Sequence, residues 1–138
     1  RVGEPPVADT VAVAGAVAPA TAAVTDATAL PAPQPVPFAA RVEAHTANHE
    51  GVEHRRAGNF AAARAAYERS ISLDPLGAEA ERNLAILHDL YLDDPTAALP
   101  HYERYQALTE GTDKEVTAWL VELKARLAAI TRTAEAQP

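Results

Sequence analysis

Residues 58–75, Gly58-Asn59-Phe60-Ala61-Ala62-Ala63-Arg64-Ala65-Ala66-Tyr67-Glu68-Arg69-Ser70-Ile71-Ser72-Leu73-Asp74-Pro75, decide the fold. Gly58-Asn59 is a stop for whatever precedes it, because glycine enters the left-handed backbone region without steric cost. Pro75 closes the other end by pushing the residue before it out of the helical region. Between the two, Phe60, Ala63, Tyr67 and Ile71 recur every three or four positions, the period of one helix face. The stretch therefore predicts a helix over about 60–73 with two defined ends and one apolar side.

The same period continues on both sides. Upstream, a helix over about 39–57 runs into Gly58. Downstream, a third over about 77–91 presents Leu84, Leu87 and Tyr91, with Ile86 alongside. Asp93-Asp94-Pro95 is a turn that starts a fourth over about 95–109, carrying Ala98, Tyr102 and Tyr105. Pro100 falls inside it, where a missing N–H costs one backbone bond or tilts the first turn. Thr112-Asp113-Lys114-Glu115 reads as a capping box for a fifth helix. Val116, Trp119, Leu120, Leu123, Leu127 and Ile130 line one face of that helix. No strand pattern competes across 38–131, so the expected fold class is all-α.

The helices repeat. Gly51 and Ala85 are small residues 34 positions apart, while Ala63 and Ala98, and Tyr67 and Tyr102, are each 35 apart. A period near 34 in helix–turn–helix units resembles the tetratricopeptide repeat family over about 44–111, with a terminal helix at 113–131. The resemblance rests on Gly51, Ala63, Tyr67 and Pro75 in the first unit and Leu84, Ala85, Ala98 and Tyr102 in the second. Phe60 fills the hydrophobic place at the start of the first unit's second helix. Ala47, Glu50 and Glu110 depart from the family pattern. The extra residue of the 35-residue spacing is expected in the Leu92–Pro95 turn, where an insertion costs little packing. The resemblance implies a short helical solenoid of two repeats, closed by a capping helix on which Trp119 and Leu120 seal the last unit. It also implies a concave binding face, which by position falls on His45, Asn48, Val52, Arg55, Arg82, Ile86, Asp89 and Lys114, with Thr117 and Val121 further along. Some relatives hold a peptide's terminal carboxylate there; Arg82 and Asn83 supply part of such a clamp, and Asn48 and Val52 occupy its other key places.

Composition bounds the rest. The chain has 138 residues, a formal charge of −7 and no cysteine, which excludes disulfides, thiolate metal sites and a cysteine nucleophile. Acidic and basic residues are interspersed, unlike the clustered basic stripe that nucleic acid requires. No apolar run reaches the length of a membrane span. Seven of the 11 prolines lie within residues 1–37, which form a separate Ala/Pro/Thr-rich tail. Pro31–Pro37 favours extended polyproline II, the behaviour of a spacer. Val11-Ala12-Val13-Ala14 keeps a second reading open, a segment that pairs with another sheet edge or lies along a partner. Residues 38–131 are the folding unit and 132–138 a C-terminal tail.

Enzyme chemistry finds no foothold. His45 and His49 share one helix face, but His49-Glu50-Gly51-Val52-Glu53-His54 spaces its histidines five apart and lacks the zinc-protease pattern, so no metal and no cofactor are expected. There is no glycine-rich phosphate loop and no nucleophile elbow around Ser70 or Ser72. The expected role is a non-catalytic scaffold that binds a protein partner or a second copy of itself. Arginine over lysine, with much alanine, has the look of a high-GC bacterial gene. Compact repeats with such tails are similar to small envelope lipoproteins, which places the expectation in the periplasm or outside the cell. Membrane tethering would then require a residue preceding Arg1. The alternative is a subunit of an extracellular filament, with the tail packed on neighbouring copies and Thr10, Thr21, Thr25 and Thr28 as O-glycan sites.

Overall fold

The computed structural model describes residues 34–137 and is all-helical there, with five helices and no strand among the described residues. They are α1 (Phe38–Arg56), α2 (Phe60–Leu73), α3 (Ala78–Ile86, closing in a π-helical turn at Leu87–Tyr91), α4 (Pro95–Leu108) and α5 (Lys114–Ala136). The expectations for the tail up to residue 33, including its glycan sites, lie outside the described residues.

Small residues set how closely α1 and α2 pack. Ala44, Ala47 and Gly51 form a stripe on α1, all buried, against Ala63, Ala66 and Tyr67 of α2. The Tyr67 ring is fully buried against the Cα of Gly51, so close that a β-carbon there would sit 2.5 Å from its Cε1. Ser70 Oγ donates to the Ala44 carbonyl at 2.7 Å, while the buried Tyr67 hydroxyl has no hydrogen-bond partner. On the far side of Tyr67, Leu84 and Leu87 of α3 complete the cluster, with Val52, Phe60 and Ile71 at its edge.

The second pair repeats the plan. Ala85 of α3 meets Ala98 and Tyr102 of α4, and Val116, Leu120 and Leu123 of α5 close the cluster, with Ile86 on its rim and Trp119 partly buried against it. The Tyr102 and Trp119 rings meet edge to face at 6.4 Å. Trp119 and Leu120 thus pack where the apolar stripe of α5 predicts. That stripe outruns its core, however: every residue from Ala128 to Ala136 is exposed, and Ile130 is 54% exposed. The helix reaches Ala136, five residues past the expected end.

Two local expectations change. The loops 57–59 and 92–94 have the same length, so the extra residue of the second unit does not sit in the turn. It widens the end of α3 instead, where Leu92 N–H donates back to the Leu87 carbonyl at 3.0 Å, the wide i→i+5 closure of a one-residue helical insertion. At α5 the N-cap is Asp113 rather than Thr112. One Asp113 oxygen accepts from both Glu115 N–H and Val116 N–H, while the Thr112 hydroxyl donates to the Thr109 carbonyl at 2.8 Å. A carboxylate satisfies two free donors and complements the positive helix end, which a hydroxyl does less well. Pro95 occupies the first turn of α4 with Asp94 as its cap, and Pro100 is accommodated within the continuous helix.

Candidate functional site

Helix α3 meets α1 through polar side chains and shares the second core cluster with α5. Between α1 and α3, Asn83 Nδ2 donates to Asn48 Oδ1 at 2.9 Å, and Asn48 Nδ2 reaches Glu79 Oε2 at 3.5 Å. Asn48 is 8% exposed, so its amide is engaged within the chain. His45 stands exposed beside it on the wall of a polar cleft with Arg41, Asp74 and Glu79. Between α3 and α5, the Arg82 guanidinium lies over the Trp119 ring at 5.7 Å and forms no ion pair among the described residues. Its neighbours in a second polar cleft are Glu79, Asn83, Tyr105 and Asp113. The backbone N–H of Val116 above all, then Tyr105 Oη, which donates to Asp113 at 2.8 Å, hold the Asp113 carboxyl below its ordinary range.

Further along, Asp89 accepts from Tyr102 Oη at 3.4 Å and pairs with Arg126. Burial, followed by the Asp89 charge, raises the Tyr102 phenol well above its usual value, so it remains a donor. Ile86 sits at the edge of the core and lines the cleft above this pair. Val52 is half-buried against the first core cluster, and Arg55 lies over the Tyr91 ring at 5.5 Å. Lys114 is exposed at the start of α5 and is not among the residues lining these clefts. Five of the eight residues therefore line clefts: His45 and Asn48 one, Arg82 a second beside Glu79 and Asn83, and Ile86 and Asp89 a third beside Trp119 and Arg126, while Val52, Arg55 and Lys114 stand apart from all three. His49, the second histidine of the α1 pair, is exposed.

One cluster has no counterpart in the sequence reading. His88, in the π-turn, is 6% exposed, and its Nδ1 has no hydrogen-bond partner. The ring stacks on His101 of α4, with centroids 5.8 Å apart and planes 3° from parallel. His101 Nδ1 in turn lies 2.8 Å from Oε2 of the buried Glu81. Glu81 and His88 are seven apart on α3, a same-face spacing, but no pattern in α4 marks His101 as their partner. Burial above all, then His101 and Arg64, lowers the His88 pKa against the weaker pull of Asp94 and Glu68. The folded state therefore resists protonation that the unfolded chain accepts below pH ~6.5. Stability present above that pH is lost as pH falls through it toward the folded-state value. Thermal melts at pH 7.5 and 5.5 should show a larger acid loss in wild type than in His88→Leu; equal losses would put the acid sensitivity elsewhere.

Among the described residues no group of three or more His, Cys, Asp or Glu side chains is arranged to hold a metal, and no helix is long and apolar enough to cross a membrane. In comparisons with known proteins, no family model matches the chain and no curated protein is significantly similar to it.

Proposed function

We propose that this chain is a tetratricopeptide-type scaffold, a short solenoid of two helical hairpins and a capping helix, that binds a segment of another protein across the face made by α1, α3 and α5. The observation that carries the reading is the paired packing of small residue against tyrosine. Gly51 with Ala63 and Tyr67 recurs as Ala85 with Ala98 and Tyr102, leaving the polar side of α1 and α3 free of core duties. A face that offers Arg82, without an ion pair among the described residues, and the exposed His45 suits the backbone and charges of an extended peptide. The chain then works by recognition, without catalysis or cofactor. The composition supports a bacterial envelope setting, with residues 1–37 as a spacer.

Panning a random 12-residue peptide library on the purified domain, followed by amide-shift mapping of a selected peptide, tests the reading. Shifts should concentrate on α1, α3 and α5, and Arg82→Gln should weaken binding about tenfold, the size of one charge-assisted contact. Shifts confined to the outer surfaces of α2 and α4 would sink it. One observation favours a second reading, self-assembly into a filament: the last two turns of α5 are bare and carry Ile130 into solvent. Light scattering over a concentration series separates the two, since the adaptor stays monomeric where a filament subunit grows.

A further inference from the structure

Resting on that reading, the geometry points to a specificity pocket within the face: a cleft between the π-turn of α3 and α5 that takes one leucine-sized aliphatic side chain with a lysine or arginine beside it in the partner's sequence. The cleft measures about 280 Å³, and its apolar walls are Ile86, Leu90, Tyr102, Trp119 and Leu123. Leu90 is 69% exposed, an apolar side chain with no core to serve. The π-turn puts it there, since the inserted residue turns His88 inward and leaves Leu90 on the rim.

The polar groups of the cleft decide what enters. Both Asp89 oxygens are already engaged, one by Arg126 and one by Tyr102 Oη, and the Tyr102 hydroxyl is spent on that bond. The polar groups of the floor thus already have partners and repay little of the desolvation of an entering polar side chain, whereas an aliphatic group enters without that cost. The rim differs. Glu122 is exposed and has no ion-pair partner among the described residues, while Arg126, the one cation of the cleft, is neutralised by Asp89. Arg82, on the Trp119 ring, lines the neighbouring polar cleft, so among the residues lining this one the uncompensated charge is negative and the residue flanking the aliphatic anchor is basic.

Trp119 is the only tryptophan of the chain and forms a wall of the cleft, so its emission reports occupancy directly. The probes are three synthetic nonapeptides of an Ala/Ser host carrying Lys-Leu, Glu-Leu or Lys-Ser at the centre, titrated into the full chain. The Lys-Leu peptide should shift Trp119 emission to the blue and saturate. Glu-Leu should bind at least tenfold more weakly, and Lys-Ser should leave the emission unchanged. Leu90→Ser, at an exposed position that carries no packing, should abolish the shift with the melting temperature retained. Glu122→Lys should invert the order of Lys-Leu and Glu-Leu. Equal responses to Lys-Leu and Lys-Ser, an order unmoved by Glu122→Lys, or no response to any peptide would overturn the pocket. Library peptides that still map to α1, α3 and α5 in that case would leave the broader face standing, whereas peptides mapping elsewhere would remove both.

Discussion

Replacing Gly51 by alanine is expected to destabilise the domain by about 2 kcal/mol, although alanine is the better helix former. In an exposed helix the exchange would gain about 1 kcal/mol. Here the new β-carbon would lie 2.5 Å from Cε1, 2.6 Å from Cδ1 and 3.0 Å from Cζ of Tyr67. That ring is fully buried between α1, α2 and α3 and has no open space to swing into. Either the ring leaves its rotamer or α1 lifts away from α2, which also loosens Ala44, Ala47 and the Ser70–Ala44 hydrogen bond. Overpacking of this kind costs about 1–3 kcal/mol and occasionally more, and the rigid aromatic neighbour puts this site toward the upper end, against the gain in propensity. A domain of this size should lose roughly 8–16 °C of melting temperature. The double variant Gly51→Ala with Tyr67→Leu should lose less than the sum of the two single changes, because the smaller side chain removes the overlap. A Gly51→Ala protein that melts at or above wild type would mean that α1 and α2 are further apart than described.

That contact also shows what a single sequence makes legible. Gly51, Ala63 and Tyr67 could be paired because small and aromatic residues recur at fixed intervals along helices whose ends are marked by Gly58 and Pro75. The five helices, the all-α class and the buried tyrosines follow from such periodic signals. The π-turn does not, since Leu87–Tyr91 has no distinctive residue type; the turn exists in which carbonyl Leu92 N–H chooses, and the 35-residue spacing revealed only that one residue was extra. The Asp113 cap was ambiguous for a different reason. Thr112 and Asp113 are both good capping residues, and only the geometry shows the carboxylate collecting two N–H groups while the hydroxyl turns back to Thr109. For the candidate site, position along the helix spaced Arg82, Ile86 and Asp89 for one side of α3, and they line two clefts, Arg82 one and Ile86 with Asp89 the other. It was silent on Leu90, Glu122 and Arg126, whose meeting depends on how α5 lies across α3, and on the Glu81–His88–His101 cluster, which joins two helices with no shared pattern.

The largest effect is expected at Tyr102. Truncation to alanine should cost about 3–5 kcal/mol, the usual range for removing a buried aromatic ring, which is much of the stability of a domain near the ordinary 5–15 kcal/mol. The ring touches both halves of its cluster, Ala85 and Ile86 of α3 on one side and Val116, Leu120 and Leu123 of α5 on the other. These last three are the only fully buried residues of α5, so the helix has little else to hold it. Tyr102→Phe separates ring from hydroxyl. The Tyr102–Asp89 bond is long, 3.4 Å, and Asp89 keeps Arg126, so its loss should cost at most about 1 kcal/mol. Circular dichroism and Trp119 emission, followed together through a urea titration, then report on different parts of the molecule. In Tyr102→Ala a red shift of Trp119 at low urea with helicity retained would mean that α5 undocks from a surviving pair of hairpins, which contact each other through Leu84 and Leu87. Simultaneous loss of both signals would mean that the second hairpin and α5 fold as one unit with the first. A Tyr102→Ala variant with wild-type midpoint and emission would place the ring outside the core and remove the basis for pairing it with Tyr67.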